Sequence, residues 1–408
     1  MDENSSFISV NKNNKEKHKK KKKTYKALET SPQKLIIIIL IIIILILCVV
    51  VGILLFKQNS TNKYFSNQIN AFKKLSLNKN NKENGASSDD IFQSLKNLSK
   101  NRLFQTRTDP ITNDKNQIHI SMAIDNKFVY PILVSMASAL ENNNKEKNII
   151  VYHLLFSEDF DTENYKIFDS LKKRYDFSLN YYIIPNLFKD YKRWMGGTHT
   201  VYYKILLPLL FHDLERIIYL DADTLIFKDL YEMYNLPFNG NFVLGYPFHD
   251  SNKIDKYVKN ATYYINGGVI LFNNKLIRKD NKDIELLRFT KENNKKLWFL
   301  EQDSINIVFY EKIGILPLKY GIYMYGNVDS FEKSIQIRIR FKLNRTEIIE
   351  ALEDPSLVHF SGCNPKPWNS HSSNEFGVDE ICKRFHDKFY FYANKTDYYE
   401  KIKGQYLH

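Results

Sequence analysis

The chain has 408 residues, 59 Lys and Arg against 46 Asp and Glu, and a net charge of +13. That excess does not mark a nucleic-acid binder: the first 34 residues carry ten Lys against four acidic residues, nearly half of the imbalance, and the expected partner of such a flank is an anionic membrane leaflet. Three cysteines exclude a disulfide-built scaffold, and the length is ample for a large apolar core.

Residues 1–34, rich in Asn and Lys with a lysine run at Lys19 to Lys23, offer little to bury and are expected to be a disordered tail. Residues 35–56 form an unbroken apolar run of Ile, Leu and Val with one Cys and one Gly, closed by Phe56. At about 1.5 Å per residue this crosses a hydrocarbon core of roughly 30 Å as a helix. It exceeds the apolar region of a usual signal peptide and no small-x-small cleavage site follows, so a retained anchor is the expectation. Lysines crowd its N-terminal side and thin out after it (Lys57, Lys63, Lys73, Lys74), which by the positive-inside rule leaves the tail in the cytosol and sends the C-terminal part across as a single-pass type II protein. Golgi or endoplasmic reticulum residence is expected. Sequons at Asn59, Asn97, Asn260, Asn344 and Asn394 fit that compartment. Cys48 falls in the span, which leaves Cys363 and Cys382 as one possible pair.

Residues 57–115 are Asn, Lys, Ser and Gln rich and read as a stem. From residue 116 to 408 the character changes. Ile118 to Ile124 and Asn148 to Phe156 are strand-like, while Val129 to Leu140 and Tyr165 to Tyr175 have helical apolar spacing. The alternation predicts an α/β domain with a mainly parallel sheet and its active residues at strand ends. The interval 275–347 has no clear pattern, and mixed helices and loops are expected there.

Chemistry gathers at five places. Ile217 to Leu220 is an apolar strand that stops on Asp221-Ala-Asp223, and paired carboxylates at a strand end can aim oxygen ligands at a hard divalent ion that keeps positions for phosphate. A solvated acidic loop is the plain alternative. A haloacid-dehalogenase-type phosphatase would need Thr two residues beyond the second Asp, where Leu225 stands. His359-Phe-Ser-Gly362-Cys-Asn-Pro-Lys366-Pro-Trp368 supplies an imidazole to complete an oxygen/nitrogen site, a glycine for close backbone approach and a lysine to neutralise a diphosphate. Asn266-Gly267-Gly268 at the head of a strand leaves room for a sugar ring, with Asn266 donating to its hydroxyls. Glu301-Gln302-Asp303 enters an apolar helical stretch, which otherwise marks an acidic helix N-terminus. After the first strand, Asp125 is placed to accept from a base N–H and Phe128 to stack on it.

In this order the motifs resemble the family 8 glycosyltransferases, in particular their bacterial lipopolysaccharide galactosyl- and glucosyltransferase type. The resemblance implies a GT-A (Rossmann-like nucleotide-diphospho-sugar transferase) fold and a retaining transfer of a hexose from a UDP-sugar, dependent on Mn²⁺ or Mg²⁺, to a glycan, glycoprotein or glycolipid. It places Asp221, Asp223 and His359 on the metal, Gly362 and Lys366 on the diphosphate, and Ala123, Asp125 and Phe128 on the uridine. Lys204 stands where many members carry an Arg that contacts sugar or phosphate. Asn266 and Gly267 match sugar-contacting positions, Glu301 replaces a more usual Asp, and Gln302 matches the Gln beside the anomeric carbon. The His359–Lys366 loop has one residue more than the family's usual spacing. A non-catalytic sugar-binding protein of the same fold and a glycogenin-like self-glucosylating initiator are the competing readings.

Overall fold

The computed structural model describes residues 104–111, 114–193, 197–248, 254–321, 345–369 and 380–405, all within one compact unit. The tail, the apolar run 35–56, most of the stem interval and the sequons at Asn59, Asn97 and Asn344 lie outside the described residues. Among the described residues no helix is long and apolar enough to cross a membrane.

The principal elements are β1 (Gln105–Thr108), β2 (Asn116–Ile124), α1 (Val129–Asn142), β3 (Asn148–Ser157), β4 (Ser178–Ile184), β5 (Ile217–Leu220), β6 (Thr224–Ile226), β7 (Val243–Pro247), β8 (Ile265–Phe272), α2 (Lys282–Asn293), α3 (Glu301–Val308), β9 (Ile313–Ile315), α4 (Arg345–Glu353), β10 (Leu357–His359) and α5 (Glu380–Ala393). Eight strands form one sheet in the order β1-β4-β3-β2-β5-β8-β7-β9, and β6 and β10 pair as a separate ribbon. The strands β4, β3, β2 and β5 run parallel, as the strand–helix alternation predicts. The sheet as a whole is mixed rather than mainly parallel, because β8 enters antiparallel to both β5 and β7. Parallel neighbours need a crossover, usually a helix, and no α-helix lies among the described residues between β7 and β8. β1 lies in the interval read as stem and covers the β4 edge antiparallel. The helical spacing from Tyr165 resolves into a short α-helix, Tyr165–Asp169, and a 3-10 turn, Ser170–Lys173.

Strand side chains alternate between two apolar layers, so both faces of the sheet are covered and the strands read as continuous apolar runs. Ile118, Ile120, Met122 and Ile124 of β2 pack with Ile132, Leu133 and Met136 of α1. Ile217 and Tyr219 of β5 face the other way, onto a layer with Leu286 and Leu287 of α2 and Ile305 of α3. A third cluster lies under the β6/β10 ribbon, where Cys382, Phe385, Phe389 and Tyr392, at helical spacing on α5, meet Leu225, Val358, Phe360 and Trp368. Cys363 and Cys382 form a disulfide, Cα–Cα 5.9 Å, between the loop after β10 and α5. Burying the face of α5 and closing that bridge fix the ribbon against the main sheet.

Candidate active site

The ribbon and the sheet converge on Asp221-Ala-Asp223. β5 and β8 are antiparallel, so the C-terminal end of one lies beside the N-terminal end of the other: Leu220 is opposite Val269, and the Asp221 amide donates to the Gly268 carbonyl at 2.8 Å. After the turn the chain re-enters as β6, whose Thr224 is opposite His359 of β10, and the Phe360 amide donates to the Asp223 carbonyl at 2.8 Å. The Thr224 hydroxyl bonds the Asp221 carbonyl at 2.9 Å and meets Ser135 of α1, which pins the turn from below. Backbone pairing thus brings together the side chains of Asp223 and His359, 136 residues apart in sequence.

His359 Nε2 lies 3.0 Å from Asp223 Oδ1 and 3.8 Å from Asp221 Oδ2. One ligand atom from each of the three side chains falls within 4.8 Å of the others. Two carboxylates and an imidazole suit a divalent cation such as Mn²⁺ or Mg²⁺. The backbone is shaped for that convergence. A Cβ on Gly268 would lie 2.2 Å from His359 Cε1 and 2.6 Å from Asp221 Oδ2, so glycine is required there for the ligands to approach one another. The second member of the Gly-Gly pair thus makes room for the ligand cluster. Burial opposes the charge on Asp223, but the Lys366 ammonium and His359 outweigh it and hold its carboxyl well below the usual range.

Lys366 reaches this cluster in spite of the extra residue in its loop. Its Nζ is 2.7 Å from Asp223 Oδ2 and 2.7 Å from the Phe360 carbonyl. The loop turns at Gly362, whose φ of +83° is a left-handed conformation that favours glycine, and it is tied to α5 by the disulfide at Cys363. Trp368 meets Phe128 edge-on, ring centroids 6.4 Å apart, so the Lys-Pro-Trp segment packs against the residue expected to stack on a base. At the end of β2, Ala123 is partly buried and Asp125 is buried. Asp125 Oδ1 accepts from the Lys127 amide at 2.8 Å, while its Oδ2 is buried without a hydrogen-bond partner. An orphaned carboxylate oxygen at a strand end is a preset acceptor for a ligand N–H.

Lys204, expected to contact sugar or phosphate, is buried among site side chains. It lies in the 3-10 segment His199–Leu206, only 2% exposed, with Nζ 3.3 Å from Asp221 Oδ1, 3.0 Å from Glu301 Oε1 and 2.9 Å from the Gly267 carbonyl. Burial pulls the ammonium down, yet the Asp221 and Glu301 carboxylates outweigh it and raise it above the ordinary lysine value. Lys204 therefore acts as an internal counterion linking a candidate metal ligand to α3. Sequence reasoning missed this role, because nothing local in Val201-Tyr-Tyr-Lys204 marks the lysine as buried.

The polar start of α3 is equally engaged. Gln302 Oε1 accepts from the Gly267 amide at 2.6 Å and its Nε2 donates to the Tyr264 hydroxyl at 3.2 Å. The same hydroxyl donates to Asp303 Oδ1 at 2.5 Å, and Asp303 Oδ2 accepts from the amides of Trp298 and Phe299. Asp303 is thus a brace for the turn into α3. Asn266, expected to donate to sugar, is buried and its Oδ1 accepts from the Gly268 amide at 2.7 Å. Glu301 is buried against Lys204 rather than free in the cleft. Every predicted site residue lies on the strand-end edge formed by β2, β5, β8 and β10 or on the segments packed against it; what differs is which of them face inward.

The profile of "Glycosyl transferase family 8" matches residues 119–372. "General stress protein A" of Bacillus subtilis is 22% identical over 64% of this chain and 90% of its own length. "Lipopolysaccharide 1,3-galactosyltransferase" of Salmonella typhimurium is 25% identical over 63% of this chain and 74% of its own. Among solved structures, the galactosyltransferase LgtC in complex with donor and acceptor sugar analogs aligns with a TM-score of 0.53 at 15% identity, covering 69% of this chain and 96% of that one. The likeness shows a mixed α/β, GT-A-like fold. The chain belongs to glycosyl transferase family 8 and is a glycosyltransferase.

Proposed function

We propose that the chain is a metal-dependent, retaining hexosyltransferase that takes galactose or glucose from a UDP-sugar to a glycan, glycoprotein or glycolipid acceptor, and that residues 35–56 anchor it with the catalytic part in the Golgi or endoplasmic reticulum lumen. The observation that carries the reading is the convergence of Asp221, Asp223 and His359 beside Lys366 at the end of β5. A divalent ion held by these three side chains would supply charge stabilisation to a departing diphosphate. Lys366 is placed to share that task by moving its ammonium from Asp223 to a phosphate oxygen. Asp125 Oδ2 would accept the base N–H, and Phe128, braced by Trp368, would stack on the ring.

On the sugar side, neither Glu301 nor Gln302 is poised as a nucleophile among the described residues. Glu301 is paired with Lys204, and Gln302 is hydrogen-bonded through both ends of its amide. This favours a front-face path in which the leaving phosphate accepts the acceptor's proton, with Gln302 positioning the sugar, over a covalent glycosyl-enzyme. The topology is supported by the lysine asymmetry around residues 35–56 and by the Cys363–Cys382 disulfide, a bond that persists in oxidising compartments. UDP release from a panel of UDP-sugars, with and without Mn²⁺, tests the assignment. Metal-dependent hydrolysis of one UDP-hexose is the expected result, whereas silence with every donor would favour a sugar-binding protein that has lost turnover, and Mn²⁺-dependent glucosylation of the chain's own tyrosines would favour a self-glucosylating initiator.

A further inference from the structure

The other ring nitrogen of His359 has a partner of its own. Tyr246, on β7, places its hydroxyl 2.6 Å from His359 Nδ1, with the two rings edge-on at 81° and centroids 6.0 Å apart. Three features bring it there. The β7/β8 register shifts between Gly245 and Pro247, so Tyr246 stands at the irregularity, and such a break re-aims a side chain that regular pleating would direct elsewhere. The ring then lies against Gly321, where a Cβ would come within 2.2 Å of Tyr246 Cγ and 2.4 Å of its Cδ1. The whole residue is 1% exposed, and His359 2%, so water does not compete for Nδ1.

We infer that Tyr246 is a positioning residue for the metal centre: its hydroxyl, seated by Gly321 and the β7 irregularity, holds the His359 imidazole so that Nε2 points at Asp221 and Asp223. The inference rests on the metal reading of that site. A phenol suits the task because it both donates and accepts. While Nε2–H faces Asp223, the hydroxyl donates to Nδ1. When Nε2 gives its lone pair to a cation, Nδ1 carries the proton and donates to the hydroxyl oxygen. The cation polarises that N–H, so the bond is stronger in the metal-loaded state, and its loss weakens metal binding more than it weakens the metal-free fold.

The test uses the full chain in detergent and Mn²⁺ alone as the probe. Free Mn²⁺ is measured by electron paramagnetic resonance for wild type, Tyr246→Phe, Gly321→Ala and His359→Ala, beside the thermal midpoint of each without metal. Tyr246→Phe keeps the ring on Gly321 and removes one oxygen. It is expected to weaken Mn²⁺ binding about tenfold to a hundredfold, the loss usual for an outer-shell partner, with a metal-free midpoint close to wild type. Nitrogen-15 spectra of the metal-free chain should show the His359 Nδ1 resonance shifted in this variant, a change that packing alone would not produce. Gly321→Ala, which displaces the ring while keeping the hydroxyl, should weaken binding in the same direction. Unchanged Mn²⁺ affinity and an unchanged Nδ1 resonance in Tyr246→Phe would overturn the inference while leaving the metal site standing. Equal Mn²⁺ affinity in wild type and His359→Ala would overturn the metal reading itself, and the role of Tyr246 with it.

Discussion

Lys204 shows how much of this site is internal electrostatics. Its ammonium is shared by Asp221, Glu301 and the Gly267 carbonyl in a place with almost no solvent. Removing one partner of a buried pair leaves the other charge uncompensated, which costs more than the pair is worth. Lys204→Met is therefore expected to lower the unfolding free energy by about 3–5 kcal/mol, read from urea denaturation of the purified chain without metal. Adding Glu301→Gln to it should return a large part of the loss, a coupling that distant sites do not show. Losses that simply add would mean that the two side chains are not energetically linked. The contrast between Asp223 and Lys204 also explains what the amino-acid sequence discloses at this scale. Asp-x-Asp after an apolar run and His-x-x-Gly are local patterns whose chemistry follows from residue type. The burial of Lys204, the clearance behind Gly268 and the Tyr246–His359 bond exist only after β5, β7, β8 and β10 have paired, so no local pattern announces them.

Among the elements, β2 and β3 carry a second polar feature away from the strand-end site. His119 Nδ1 and His153 Nε2 are 2.9 Å apart, and His153 Nδ1 continues to the Tyr182 hydroxyl on β4 at 3.2 Å. They line a cavity of about 150 Å³ with Gln105 of β1, Asn180 and His212. Burial pulls His119 down to about 4, against which Asp213 acts weakly, and burial with the neighbouring imidazole pulls His153 well below its ordinary value. The folded chain therefore binds these protons less readily than the unfolded chain, so their contribution is fully present above pH ~6.5 and is lost as the pH falls toward about 4. The His119 shift corresponds to about 3 kcal/mol. Urea denaturation at pH 7.5, 5.5 and 4.5 should show this decline, and His119→Leu should flatten part of it; parallel declines in both proteins would assign the pH dependence to other groups. β2, α1 and β3 were legible because apolar periodicity decides them, and their ends fall within a few residues of the expectation. The antiparallel entry of β8 was not, because strand direction depends on the length and path of a connection rather than on the pattern within the strand.

For the whole molecule, the proposed topology places the transferase in the lumen behind an anchor expected from the sequence at residues 35–56. With the proposed orientation, protease added to sealed microsomes should trim only the N-terminal tail and leave a large protected fragment that loses mass on glycosidase treatment. Asn260 and Asn394 are exposed sequon positions on that fragment. Digestion of the large fragment in sealed vesicles would reverse the orientation. The proposal for the site is narrower: Asp221, Asp223 and His359 would hold the cation that makes UDP a good leaving group. Asp223→Ala tests it most directly; because the substitution also removes the partner of Lys366, the thermal midpoint of each metal-free protein is read beside it to show that the variant is folded. The measurement is Mn²⁺-dependent UDP release from the preferred donor by wild type and variant side by side. Loss of about 10²-fold or more is expected in a variant that still unfolds cooperatively; undiminished Mn²⁺-dependent release by Asp223→Ala would contradict it.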